Sequence, residues 1–222
     1  MKRIMLFIIV ISLAFIGCDT FVKVTASESD AKIYVNGEYV SVGNTKVKIR
    51  EKDCQTIRIE KPMYLSEEKK YCYRVQGFQT PPNRDYFTLR KDETFDASVK
   101  SDLANVDFNI EVNKKYKEDE VWKTIGQICA GYFDELVNNS RETGFLTTAW
   151  KIQSFPRRTI RTRLVVKNSS TVPLAYKVKV VSEIALQEGV SAKDDEKFKE
   201  WDRVLKKYQD VISEFQLKLG NK

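Results

Sequence analysis

Arginines carry the binding chemistry that is easiest to read in this sequence. Four of them, Arg157, Arg158, Arg161 and Arg163, cluster within and just before the strand predicted at residues 159–167, shortly after Trp150. The planar guanidinium fork suits phosphate and carboxylate groups, so an open face of this kind would bind a glycan, lipid A or a phospholipid headgroup. The alternative is a solvated strand face whose arginines pair with nearby carboxylates: Glu183, Asp194, Asp195 or Asp202. Pairing is the simpler interpretation because surface ion pairs are commonplace, while Trp150 can face either way.

Histidine is absent from the sequence. Ser-His-Asp and Cys-His sites and His-ligated metals are therefore excluded. The sequence has no CxxC, and its 9 glycines form no phosphate-binding loop. The acidic run at residues 194–196 precedes a predicted helix, whose N-terminus favours negative charge. We predict no catalytic residue, no metal site and no cofactor, in a protein that is not an enzyme.

The sequence has 4 cysteines in three settings. Cys54 and Cys72 fall in one strand-rich region and are a candidate disulfide in an oxidising compartment; two unlinked buried thiols are the alternative. Cys129 occupies a core position of a predicted helix, where a thiol behaves as a small hydrophobe. Cys18 directly follows an apolar N-terminal segment.

Residues 1–17 have the pattern of a secretory signal peptide, with Lys2 and Arg3, an apolar stretch and then Gly17. The stretch is shorter than the roughly 20 residues that span a membrane. Residues 15–18, Phe-Ile-Gly-Cys, resemble a bacterial lipobox. That resemblance implies lipidation of Cys18, with palmitate, and an anchor in the cell envelope, at the outer membrane facing the periplasm. An ordinary signal peptide with a chance cysteine is the alternative.

The composition is that of a folded protein with a modest positive charge. Of 222 residues, 42% are hydrophobic and 31% charged, and the formal net charge is +7. This length suits one domain or two small ones. The charge favours weak contact with anionic lipid or glycan, but it is too diffuse to predict nucleic-acid binding.

Alternating apolar residues predict strands through most of residues 18–90. Asn36-Gly37 between two apolar runs signals a hairpin, because both residues tolerate positive φ, and residues 38–42 form the return strand. Residues 31–37, 43–45 and 57–64 resemble a PEGA-type domain: an Ala-led strand, a turn glycine, a Gly-Asn-Thr step and a closing strand. The resemblance implies a small β-sandwich of envelope proteins, without shared catalytic residues. An unrelated β-meander is the alternative, and polar residues 91–104 are predicted to be a linker.

Residues 105–222 are predicted to follow the order β-α-β-β-β-α. Apolar spacing predicts a strand at 106–112, a helix over 121–137 ended by residues 138–140, and strands at 143–155, 159–167 and 174–186. A long final helix is indicated by one line of apolar residues: Phe198, Trp201, Leu205, Tyr208, Ile212, Phe215 and Leu219. The predicted fold class is therefore α+β, with an N-terminal β-sandwich and then two helices on an antiparallel sheet.

This order, with Trp122 early in the first helix and Gly144 at the start of the meander, resembles the helix-grip domains of envelope lipoproteins that assist outer-membrane protein assembly. The resemblance implies an interaction domain. We therefore expect a membrane-anchored envelope lipoprotein acting as a non-catalytic scaffold or accessory subunit. Its partners would be the membrane, through the lipid, and an envelope protein. A lipoprotein that binds peptidoglycan, another glycan or an anionic ligand is the alternative.

Overall fold

The computed structural model describes residues 19–220, which fall into two compact units divided between Lys91 and Asp92. The fold is mixed α+β, as predicted, with more strand than helix and several antiparallel sheets. The predicted signal peptide and the lipidation site Cys18 lie outside the described residues. None of the helices within residues 19–220 is long and apolar enough to cross a bilayer.

Within residues 19–91, the regular secondary structure of the first unit consists of strands. These strands are β1 (Thr20–Ala26), β2 (Lys32–Val35), β3 (Glu38–Val42), β4 (Asn44–Ile49), β5 (Asp53–Glu60), β6 (Glu67–Tyr73) and β7 (Arg84–Phe87). They form a 3-stranded sheet in the order β4-β1-β7 and a 4-stranded sheet in the order β3-β2-β5-β6. Every pairing is antiparallel except that of β1 with β7.

The two sheets of the first unit bury their apolar side chains in one cluster. Val22 and Val24 of β1 and Ile57 and Ile59 of β5 are all fully buried there. Burying each such side chain contributes about 1.5–3 kcal/mol. The Asn36-Gly37 hairpin is confirmed: both residues have positive φ, of 52° and 88°, between the antiparallel strands β2 and β3.

The second unit contains both helices and strands. In chain order they are α1 (Glu93–Asp96), β8 (Ser98–Lys100), β9 (Asp107–Glu111), α2 (Glu118–Tyr132), β10 (Leu136–Ser140), β11 (Phe145–Thr148), β12 (Lys151–Phe155), β13 (Arg158–Thr171), β14 (Leu174–Ala185), β15 (Lys199–Glu200), β16 (Arg203–Leu205) and α3 (Val211–Leu219). The long hairpin of β13 and β14 is the centre of a 7-stranded sheet.

The sheet order around that hairpin is β10-β11-β13-β14-β15, while β12 also pairs with β13 and β9 also pairs with β14. Helices α2 and α3 pack in one apolar cluster with alternate residues of the hairpin, such as Ile160, Leu164 and Val178. The residues between them point to the opposite side of the sheet, because strand side chains alternate. Thr159, Arg161 and Arg163 therefore lie on the face away from the helices.

Residues 92–104 are folded into the second unit, contrary to the predicted linker. Asp92, Thr94 and Ser98 are buried, and β8 pairs with β16 from the far end of the chain. The segment looks like a linker in the sequence because its buried side chains are polar. It is held instead by hydrogen bonds: Arg203 Nε donates to Ser98 Oγ at 2.7 Å.

The prediction of one long final helix is wrong. Within residues 198–219, the α-helix is α3 (Val211–Leu219). Residues 199–200 and 203–205 form the short strands β15 and β16. Phe198, Trp201 and Leu205 are buried, but Phe198 belongs to a different apolar cluster from the other two. Their helical spacing therefore comes from burial against different surfaces.

Two further boundaries differ from prediction. Helix α2 ends at Tyr132, and the backbone turns extended at Phe133 (φ −131°, ψ 136°), so that residues 136–140 form β10 rather than a helix end. The single strand predicted for residues 143–155 is divided into β11 and β12. Both pair with β13, at different places along its length.

Candidate functional site

Arg161 is the centre of the arginine cluster, and its guanidinium is enclosed by the protein. It lies on the face of β13 away from the helices and is 4% exposed. Its Nε donates to Glu183 Oε2 at 2.6 Å, across the β13–β14 pair. Its Nη1 donates to Asp195 Oδ1 at 2.6 Å and to the carbonyl oxygen of Ala192 at 2.7 Å.

Aromatic rings complete the enclosure of Arg161. Its guanidinium carbon lies 4.2 Å from the centre of the Trp150 ring and 4.1 Å from that of Phe198. Cation–π contacts of this kind strengthen as water is removed. Arg161 therefore attaches the segment around residues 192–198 to the sheet. The predicted pairing with Glu183 and Asp195 is present, but Arg161 is buried instead of lying on a solvated strand face, because the segment of residues 192–198 and two aromatic rings cover it.

Arg158 is also paired inside the unit. Its Nε donates to Asp92 Oδ2 at 2.6 Å, and the Asp92 side chain is 1% exposed. Asp92 Oδ1 accepts further hydrogen bonds from the backbone N–H and the hydroxyl of Thr94. The carboxylate is thus fully engaged, and Arg158 connects the start of the unit to its central strand.

Arg163 and Arg157 have other surroundings. The Arg163 guanidinium carbon lies 4.1 Å from the centre of the Trp150 ring, which Arg161 also contacts. Arg163 Nε is buried and has no hydrogen-bond partner within residues 19–220. Arg157 is exposed in the turn before β13, with a φ of 59°. The predicted anion patch is therefore divided: Arg158 and Arg161 are paired inside the unit, whereas Arg163 lies against Trp150 and forms no ion pair within residues 19–220.

Cys54 and Cys72 form a disulfide in the first unit. They are directly opposite each other in the antiparallel β5–β6 pair, with Cα atoms 4.0 Å apart. Cys129 is a buried thiol on α2. Burial raises its pKa to about 12, so it stays protonated and packs as an apolar side chain.

Comparison with known proteins adds no relative. No family model, curated protein or solved structure matches the chain. Within residues 19–220, no group of three or more Cys, Asp or Glu side chains converges as a metal site requires.

A polar cluster that the sequence did not indicate joins β6 to β7. Tyr71 donates its hydroxyl to Asp85 Oδ2 at 2.5 Å, and Lys69 Nζ lies 2.9 Å from the same oxygen. Burial opposes the ionisation of Asp85, but the hydrogen bonds from Tyr71 and Lys69 lower its pKa below the ordinary value. The cluster crosses from one sheet of the first unit to the other, so it stabilises their association.

A basic face in the first unit was also missed. Alternate residues of β1 and β4 point away from the core, among them Lys23 and Lys46. The signal was present in the sequence, because lysines alternate with valines and isoleucines at residues 22–24 and 46–49. Only the register shows that these lysines lie side by side.

Proposed function

We propose that this chain is a lipid-anchored lipoprotein of the cell envelope that acts as a non-catalytic scaffold or accessory subunit. Cys18 would carry the lipid, after removal of residues 1–17. The observation that carries the proposal is the Cys54–Cys72 disulfide. Disulfides persist in oxidising compartments such as the bacterial periplasm, which is where a lipobox at Cys18 would deliver the chain.

The arginine cluster supports a structural interpretation over a catalytic one. Arg161 and Arg158 use their charges on internal carboxylates and so hold segments of the second unit together. Each unit has its own core, which suits two interaction modules in series. We propose that the first is a PEGA-like β-sandwich and that the second is a helix-grip-like module of an outer-membrane assembly, facing the periplasm and binding another envelope protein.

Fractionation and pull-down test this proposal. Wild-type chain should appear in the membrane fraction with an acyl mass on Cys18, and Cys18→Ser should appear in the soluble fraction. Membrane association of Cys18→Ser together with an unmodified wild-type mass would reject the anchor. Pull-down from detergent-solubilised envelopes should recover one protein partner at fixed stoichiometry. Recovery of the chain alone would reject the scaffold.

A second candidate function is binding of an anionic glycan such as peptidoglycan. The observation that favours it is Arg163, which is partly exposed, forms no ion pair within the described chain and lies over the Trp150 ring. Co-sedimentation with isolated sacculi tests it. Arg163→Ala should abolish binding, whereas Lys167→Ala, an exposed cation of the same strand, should leave it unchanged. Equal binding by wild type and Arg163→Ala would reject this function.

A further inference from the structure

The sheet β4-β1-β7 has one buried and one outward face. Val22, Val24, Val47, Ile49 and Phe87 point into the core. Strand alternation then fixes the outward set, which consists of Phe21, Lys23, Thr25, Asn44, Lys46, Lys48, Arg84 and Tyr86. This outward set is called the basic face.

Cations form a row across the basic face. Lys23 is directly opposite Lys46 in the antiparallel β1–β4 pair and opposite Arg84 in the parallel β1–β7 pair. Directly opposite side chains have Cβ atoms about 4.5–5.5 Å apart, and like charges at that spacing are destabilising. None of these three side chains forms an ion pair with a carboxylate within residues 19–220. The neighbouring Lys48 pairs with Asp19 at 2.6 Å. The row is thus arranged to meet negative charge from outside the fold.

Exposed aromatic rings accompany the cations. Phe21 is 41% exposed and Tyr86 is 58% exposed. Lys46 Nζ lies 4.2 Å from the centre of the Phe21 ring. An aromatic ring beside basic side chains suits the boundary between lipid headgroups and acyl chains, where amphipathic rings and long cationic side chains are both stabilised.

The position of the basic face in the chain selects the occupant. Phe21 is three residues after Cys18, and three extended residues span at most about 10–11 Å. β1 begins at Thr20, so a single residue separates Cys18 from the sheet. A lipid on Cys18 would hold the basic face within that distance of the bilayer. We infer that the basic face docks onto the anionic phospholipid headgroups of the membrane that holds the anchor, an inference that rests on the proposed lipidation.

Vesicle binding by the unlipidated chain tests the inference separately from lipidation. Residues 19–222 contain both cores in full, so this chain keeps the fold. It should co-sediment with phosphatidylcholine vesicles containing 30% phosphatidylglycerol and not with pure phosphatidylcholine, and binding should weaken with added salt. Lys23→Gln/Lys46→Gln should bind roughly 30-fold more weakly, since each lysine near an anionic surface contributes about a five-fold effect.

The matched control is Lys114→Gln/Lys193→Gln, which removes two exposed lysines of the second unit. It should bind anionic vesicles like wild type. Equal binding to neutral vesicles, no binding to anionic vesicles, or equal loss in both double variants would overturn the inference. Failure here with an acyl mass on Cys18 would reject the docking face alone. Vesicle binding without an acyl mass would reject the anchor and leave the face as a peripheral membrane site.

Discussion

Arg161 Nη1 lies 2.6 Å from Asp195 Oδ1, although the arginine side chain is 4% exposed and the aspartate is 80% exposed. The two side chains therefore contribute unequally to the free energy of unfolding. A buried guanidinium loses its hydration and needs its partners, whereas an exposed carboxylate keeps most of its water when the arginine is removed. Glu183, at 20% exposure, is the partner that would be left without compensation.

Arg161→Ala should lower the unfolding free energy of the second unit by about 3 kcal/mol, because breaking a buried pair leaves an unpaired charge. Asp195→Asn should cost about 1 kcal/mol or less, as for exposed pairs. Denaturant unfolding followed by tryptophan fluorescence reports this unit, since Trp122, Trp150 and Trp201 all lie in it. Lys167→Ala is the control and should change stability by less than about 0.5 kcal/mol. Equal costs for Arg161→Ala and Lys167→Ala would contradict the assignment.

Removal of the disulfide should destabilise the first unit. The bridge closes a loop with a sequence separation of 18, and a loop of that length constrains the unfolded chain by about 3 kcal/mol. Cys54→Ser/Cys72→Ser should therefore expose the β5 and β6 amides to faster hydrogen exchange, measured by mass spectrometry. Reductant should do the same to wild type and have no effect on the double variant. A thiol assay that finds three reactive cysteines in the unfolded, unreduced chain from residue 19 would refute the bridge.

The first unit should lose stability in acid through Asp85. The folded-state pKa of this carboxyl is below its ordinary value, through the hydrogen bonds from Tyr71 and Lys69 that outweigh its burial. A lowered carboxyl pKa contributes stability that is present above the unfolded pKa, near 3.9, and is lost as pH falls through the folded value. Hydrogen exchange of β6 and β7 between pH 6 and pH 2.5, corrected for intrinsic rates, should show this loss. Asp85→Asn should be less stable at pH 6 and show a smaller acid loss; an identical pH profile would count against the cluster.

Gly43→Ala should cost more stability than Gly37→Ala. Both glycines have positive φ, of 71° and 88°, so both substitutions carry a backbone penalty of about 1 kcal/mol. A Cβ at Gly43 would lie 2.5 Å from the carbonyl oxygen of Ser29, whereas one at Gly37 would meet nothing within 4 Å. The difference between the two variants in denaturant unfolding, followed by tyrosine absorbance, isolates that contact. Equal costs would show that the Ser29 segment moves aside.

Local pattern predicted much of the strand structure. Alternation predicted strands at 159–167 and 174–186, where β13 and β14 lie, because one face of each strand is apolar over several residues. Asn36-Gly37 correctly predicted a hairpin turn because those two residue types tolerate positive φ. The prediction of a long final helix failed because helical spacing and burial against two separate surfaces produce the same sequence pattern at Phe198, Trp201 and Leu205.

The surroundings of the arginines could be predicted only as alternatives. Glu183 meets Arg161 through the register of the β13–β14 pair, and Asp195 arrives from an irregular segment. Asp92 lies 66 residues before its partner Arg158. Such long-range polar contacts leave no local spacing in the sequence, and the same holds for Ser98 with Arg203.

The pairing of β8 with β16 has a consequence for how the chain is made. Ser98 and Arg203 are 105 residues apart, and a polypeptide emerges from the ribosome N-terminus first at about 5–20 residues per second. The first unit has all its strands once Phe87 has emerged. The second unit must wait on the order of 5–20 s longer, until Leu205 appears, before β8 finds its partner. Helix α3 follows β16 in the chain, so the apolar face of the β13–β14 hairpin gains α3 as a cover only after Leu219 has also appeared.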